Sequence, residues 1–240
     1  MHQDLLSLPG VETWLFEDQA AVATATAGAI VAAAQQAIAE RGRFRLCMAG
    51  GTTPTAAYQQ LVGIDTDWTR WWLYLGDERC APNDDETRNS VAIDTAWLSH
   101  VPVPRTQVLT IPADAGAEAG ARLYEPTVRA ALPFDLVLLG VGEDGHTASL
   151  FPGRKISDER LVMPVHEAPK PPPDRVSLSA KALSETARML VLVTGGGKAD
   201  ALKQWQRGVA LPIVQVAAAG KAKVLVDRDA AAGILAEARG

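Results

Sequence analysis

The sequence predicts an open α/β sheet, and three observations lead there. Apolar runs such as "RFRLCMA" (43–49), "FDLVLLG" (134–140) and "ARMLVLVTG" (187–195) have the length of one buried strand. Alanine-rich stretches carrying Val or Ile lie between such runs. Glycine-rich turns follow several of the apolar runs, where a strand hands over to a helix.

The elements follow in order. Residues 17–40 are alanine-rich and predict a helix that Gly42 stops. "RFRLCMA" is a strand that enters "GGTTPT". There Gly50 and Gly51 permit a tight turn and Pro54 suits a first helical turn. Backbone N–H groups at such a junction are available to an anion. "RWWLYLG" (70–76) is the next strand, with Asp77 and Arg79 at its exit, and "DERCAPNDDETRNS" (77–90) reads as a polar surface loop. A helix within 87–98 and a short strand in "TQVLTI" (106–111) come next. Residues 116–132 predict a helix that Pro126 can kink or divide.

"FDLVLLG" supplies the next strand and "RLVMPV" (160–165) another, followed by a rigid proline excursion at 166–174. "ARMLVLVTG" leads into a helix at 198–208, and "AKVLVD" (222–227) precedes a final helix at 228–238. No internal repeat stands out and the proline loop is too short to mark a boundary, so residues 1–240 are expected to form a single domain.

Composition narrows the function. A chain of 240 residues, 48% hydrophobic and 21% charged, can bury a sizeable core and is not disordered as a whole. With net charge −5 and no basic run interleaved with aromatics, nucleic acid and anionic membrane surfaces are unsuited partners. A small anion is not excluded, because a local cluster of positive groups matters more to it than the total. The opening "MHQDLLSLPG" lacks the pattern of a signal peptide and no run reaches 18 consecutive apolar residues, so a soluble cytoplasmic protein is expected. Cys47 and Cys80 form neither a metal pattern nor a disulfide framework. Nothing in the chain marks an obligate protein partner, and a monomer is the working expectation.

The richest stretch is "GVGEDGHTASLFPG" (140–153), where Gly140, Gly142 and Gly145 satisfy G-x-G-x-x-G. A dinucleotide site needs a long helix after the glycines and an acidic residue about 20 positions on. Glu159 matches the distance weakly, but Phe151-Pro152-Gly153 should interrupt that helix early. "TGGGKAD" likewise fails as a phosphate-binding P-loop, since Lys198 lacks both the earlier spaced glycine and a following Ser or Thr. Lys198 beside a glycine turn can still attract phosphate; the alternative is a solvated lysine at a helix start.

Asp144 and His146 sit at the expected carboxyl end of a central strand, where open parallel sheets bind ligands. A histidine of near-neutral pKa can take a proton from water, and a nearby carboxylate can orient its ring. The plain alternative is a surface Asp-x-His turn. Ser149 lacks the G-x-S-x-G setting of a nucleophile and is expected in a short helix after the turn, as a cap or packing residue. The histidines form no H-E-x-x-H pattern, so neither a metal nor a cofactor is expected.

Taken together, "MAGGTTPTAAY", "LGDERCAPNDDETRNS", "GVGEDGHTASLFPG", "PPPDRVSLSAKAL" and "LVTGGGKADAL" resemble the 6-phosphogluconolactonase family, in family order and over most of the chain. The resemblance implies a modified Rossmann-like, mostly parallel sheet with helices on both faces. It also implies hydrolysis of 6-phospho-D-glucono-1,5-lactone in the oxidative pentose phosphate pathway. On that basis His146 is expected to activate water, with Asp144 as its orienter. Gly50, Gly51, Thr52 and Thr53 match the phosphate-side turn, and Arg175 and Lys198 match basic substrate-binding positions. Arg79 is expected to face the pocket, and Asp77 to shape Arg79 or meet the oxygen-rich substrate.

The related glucosamine-6-phosphate isomerase/deaminase group carries Asp-Glu-Tyr where this chain has "DER", and a different continuation after the histidine. Both departures favour the lactonase branch. The competing functions are sugar-phosphate isomerisation or deamination, and a sugar-phosphate sensor without turnover.

Overall fold

The computed structural model describes residues 7–154 and 159–237. The reading of the first six residues and the last residue of the predicted final helix, Ala238, lie outside them.

Among the described residues ten strands form: β1 (Glu12–Phe16), β2 (Phe44–Met48), β3 (Trp71–Leu75), β4 (Asp77–Arg79), β5 (Val108–Leu109), β6 (Leu136–Gly140), β7 (Val162–Val165), β8 (Arg175–Leu178), β9 (Met189–Val193) and β10 (Lys223–Asp227). Seven make one parallel sheet in the order β1-β10-β9-β6-β2-β3-β5. Helices cover both of its faces, in a Rossmann-like arrangement. The near-continuous burial of β6 and β9 explains their unbroken apolar sequences.

From β2 the chain builds outward through β3 to β5, then returns to β6 and builds the other way through β9 and β10. The strand order therefore reverses between β2 and β6. In open sheets the crevice at that reversal, at the carboxyl ends of the strands, is where ligands bind.

Eight α-helices among the described residues accompany the strands: α1 (Gln19–Arg41), α2 (Thr52–Gln59), α3 (Asn89–Ala96), α4 (Ala117–Ala131), α5 (Ala180–Ser184), α6 (Ala199–Gln206), α7 (Pro212–Ala219) and α8 (Arg228–Glu237). Helix α1 begins where the Asp18 carboxylate accepts the Ala21 N–H at 2.8 Å and ends at Gly42, whose φ of 71° a side chain would resist. By length and composition α1 could cross a membrane. Its stripe of Val22, Thr26, Ile30, Ala33 and Ala37 is instead buried, and the helix packs on β2, β10 and α2.

Aromatic packing fixes α2 and α3 beside β3. Tyr58 stacks on Trp97 with centroids 5.3 Å apart, and Trp97 meets Trp71 edge-on at 6.2 Å. Such pairs add about 0.5–1.5 kcal/mol beyond area burial. The Tyr58 hydroxyl also donates to the Ala49 carbonyl at 3.0 Å and accepts its N–H at 3.1 Å. That clamp holds the start of the glycine turn after β2.

Three expectations need correction. The "DER" segment is not surface loop: it is β4, in a second, antiparallel sheet of order β4-β8-β7. No helix follows Gly145 within 147–150; the chain makes a tight turn closed by a Thr147–Leu150 bridge, with Ala148 at φ 47°. Finally, Pro126 does not divide α4, which runs through it. Pro126 and Arg122 are both exposed, so water can satisfy the carbonyl that the missing N–H leaves free. The strands β1 and β8 and the helices α5 and α7 were not anticipated.

Candidate active site

A cleft of about 360 Å³ opens at the carboxyl ends of β2, β6 and β9, with the small sheet forming another wall. Gly50, Gly51, Thr52, Thr53, Asp77, Arg79, His146, Arg175 and Lys198 all line it. Asp144 does not line it; it stands behind His146 as a support.

The turn after β2 depends on its glycines. Gly51 has φ 105°, and a Cβ on Gly50 would fall 2.0 Å from Asn89 Oδ1. Helix α2 starts directly after the turn, so its first N–H groups border the cleft. Thr53 Oγ1 lies 2.5 Å from Thr194 Oγ1, joining this turn to the one after β9.

Alternation along β4 explains the "DER" sequence. Asp77 and Arg79 share one face and the cleft, while Glu78 points to the other and is fully buried. Glu78 accepts the N–H groups of Arg79, Asn89 and Ser90, each at 2.8 Å, and so caps the start of α3. Its role is architectural.

Arg79 and Arg175 are register partners across β4 and β8. Arg79 donates through Nη1 to the Thr87 carbonyl, and its buried Nε has no partner among the described residues. Arg175 gives Nε to the Pro172 carbonyl at 3.2 Å and Nη2 to the Lys170 carbonyl at 2.8 Å. The proline excursion thus holds one edge of Arg175, and Phe151 lies 5.7 Å beneath its guanidinium carbon. Burial pushes the Arg175 pKa below the ordinary arginine value; the Arg79 charge pushes the same way, and Asp77 opposes both.

The histidine turn is held from within. His146 Nδ1 lies 2.5 Å from Asp144 Oδ1, which also accepts the His146 backbone N–H at 3.1 Å. Gly142 N–H donates to the His146 carbonyl at 2.8 Å, and Thr147 Oγ1 to the Gly140 carbonyl at 2.9 Å. Phe151 packs against the imidazole with centroids 4.8 Å apart. Burial acts to raise the Asp144 pKa, but hydrogen bonds from His146 and the His146 charge outweigh it and hold the carboxyl below its ordinary value. With Nδ1 bound to a carboxylate, Nε2 is the nitrogen left for a reacting proton.

Lys198 ends a single turn, Gly196–Lys198, that leads into α6. Both oxygens of buried Asp227 accept the Gly195 N–H at 3.0 Å, and Oδ1 accepts the Ala230 N–H at 2.8 Å. One carboxylate therefore fixes the lysine turn and starts α8. Sequence reasoning missed Asp227, Asn89, Phe151 and Lys170, which also lines the cleft and pairs with Glu143 at 3.2 Å. Phe151 and Asn89 carried a local signal, the first inside the histidine segment and the second inside "LGDERCAPNDDETRNS". Ser149 is buried and donates to Asp77 Oδ2 at 2.6 Å, so it packs as expected but not in a helix.

Residues 17–226 match the family model described as glucosamine-6-phosphate isomerases/6-phosphogluconolactonase. A 6-phosphogluconolactonase of Mycobacterium leprae is 34% identical over 241 residues, covering 92% of this chain and 97% of the relative. One from Rattus norvegicus is 38% identical over 177 residues, 68% of this chain and 69% of the relative. The crystal structure of the Thermotoga maritima 6-phosphogluconolactonase superposes with a TM-score of 0.83 at 28% identity, covering 90% of this chain and 98% of that one.

Proposed function

Because the chain belongs to the 6-phosphogluconolactonase family, within the glucosamine-6-phosphate isomerase superfamily, we propose that it hydrolyses 6-phospho-D-glucono-1,5-lactone to 6-phospho-D-gluconate. The observation that carries this reading is the His146–Asp144 pair at 2.5 Å, set in the same cleft as the facing Arg79 and Arg175. A base and an anion seat in one cleft suit a phosphorylated ester.

The phosphate is an anchor and not the leaving group. The N–H groups after β2, with Lys198, Arg175 and the Arg79 that faces it, would hold it, and this remote binding energy aligns the carbonyl. His146 Nε2 removes a proton from water as the water oxygen bonds to C1. The carbonyl π electrons move onto its oxygen, where Arg79 or backbone N–H groups offset the charge. Collapse of this oxyanion breaks the bond from C1 to the ring oxygen. The proton held by His146 passes to that oxygen as it leaves, and the new carboxylic acid ionises. Asp144 keeps Nδ1 protonated and steadies the imidazolium between the two transfers.

Continuous acid release from the lactone, corrected for its spontaneous hydrolysis, is the test. Release well above the uncatalysed rate supports the reading. Ammonia release or aldose–ketose conversion would reassign the chain to the isomerase/deaminase branch. Phosphate affinity without turnover would make it a sensor.

A further inference from the structure

Asp77 is 8% exposed, and both its carboxylate oxygens are engaged. Oδ2 accepts from Ser149 Oγ at 2.6 Å, and Oδ1 from Asn89 Nδ2 at 3.2 Å. The same Asn89 nitrogen donates to the Asp77 backbone carbonyl at 3.0 Å. These two donors come from different segments around the cleft. Asn89 packs beneath the glycine turn after β2, with its Oδ1 in the space that a Cβ on Gly50 would need. Ser149 stands three residues beyond His146 in the histidine turn. Its backbone N–H donates to Ser177 Oγ at 3.2 Å, and Ser177 is the register partner of Asp77 on β8.

One buried carboxylate thus ties the turn carrying the histidine to the turn carrying the glycines. Each oxygen of this carboxylate accepts one of these bonds, at 3.2 Å and 2.6 Å, so the side chain is held from both sides. Breaking one of its bonds leaves a buried charge short of a donor, which local rearrangement would relieve.

We propose that Asp77 is a positioning residue: acting through Ser149 and Asn89, it sets the distance between the phosphate turn and His146. This rests on the lactone-hydrolysis reading and deepens it. Holding the reacting carbonyl over the base requires that distance to be fixed, and a 1 Å error can cost about 10²-fold in rate. Ser149 reports on the tie cleanly because it does not line the cleft.

The experiment compares the parent chain with Ser149→Ala, Asp77→Ala and the double variant, using lactone kinetics and inorganic phosphate binding. Ser149→Ala should lower kcat on the order of tenfold, with KM and the phosphate Kd within about twofold of the parent. The double variant should be no slower than Asp77→Ala, because both changes break the same link. Should Ser149→Ala not fold, Ser149→Cys keeps the shape with a much weaker donor and carries the same comparison. Parent-like kcat in the folded Ser149 variant, or losses that multiply in the double variant, would overturn the inference and leave lactone hydrolysis standing. A parent chain with no lactone turnover overturns both together.

Discussion

Arg79 and Arg175 stand directly opposite one another across the antiparallel pair of β4 and β8. Like charges at facing positions oppose pairing by a few tenths of a kcal/mol to about 1. Asp77 offsets this only in part, since the Arg175 pKa remains below its ordinary value, through burial first and Arg79 second. Two guanidiniums brought together at a cleft, one with a buried nitrogen lacking a partner among the described residues, are the makings of an anion seat.

Arg79→Gln should therefore separate stability from binding. Without ligand its Tm should match or exceed the parent's, because a like-charge contact is relieved. The rise in Tm produced by inorganic phosphate should shrink; for the parent at 100 times Kd that rise corresponds to about 2.7 kcal/mol. Thermal unfolding with and without phosphate reads both. An undiminished phosphate effect would mean that Arg79 does not meet the anion.

His146→Ala should lose the chemical step and keep the seat. The bonds from Gly142 N–H to the His146 carbonyl and from Thr147 Oγ1 to the Gly140 carbonyl do not involve the ring, so the fold should persist. General-base catalysis contributes about 10²–10⁴-fold, and kcat should fall by that much while phosphate Kd stays near the parent's. A folded variant that turns over lactone at the parent rate would move the water-activating role elsewhere.

Asp144 gives a pH signature. Its folded pKa lies below the ordinary 3.8, through His146 hydrogen bonds that outweigh burial. The unfolded chain therefore binds the proton more readily. The stabilisation is fully present above about pH 4 and disappears as pH falls through the lower folded value. Asp144→Asn should lower Tm at pH 7, and the gap from the parent should narrow at pH 3. A gap that is constant or wider in acid would contradict the assignment of His146 as its partner. Lactone turnover at pH 7 should fall in the same variant.

The pattern of what the sequence disclosed follows from contact range. The runs that became β6 and β9 are buried and announce themselves, and α1 is framed by Asp18 and Gly42. Asp144 and His146 could be read together because their bond spans two residues. Strand β4 could not: three polar residues become a strand only by pairing with Arg175–Ser177, far along the chain. The tie from Ser149 to Asp77 is equally non-local, and the turn that allows it needs Ala148 at a positive φ that alanine does not advertise. Asp227 looked like the end of a strand, yet it organises the lysine turn through backbone contacts invisible in composition.

Gly142 and Gly140 close the question of the glycine spacing with opposite expectations. A Cβ on Gly142 would fall 2.0 Å from His146 Nδ1 and 2.7 Å from Asp144 Oδ1, inside the pair that orients the ring. A Cβ on Gly140 would meet nothing within 4 Å. Gly142 thus leaves room for the imidazole, while Gly145, at φ 83°, has Leu211 in the space a Cβ would need, and no pyrophosphate is needed to explain either. Gly142→Ala should displace the ring and lower kcat by about 10²-fold, the cost of roughly 1 Å of misplacement, with phosphate Kd retained. Gly140→Ala should stay within about 0.5 kcal/mol of parent stability and keep the parent kcat, any loss falling on KM because Gly140 lines the cleft. Kinetics and thermal unfolding of the two variants side by side decide it: equal activity in both would show that His146 does not need the space Gly142 leaves.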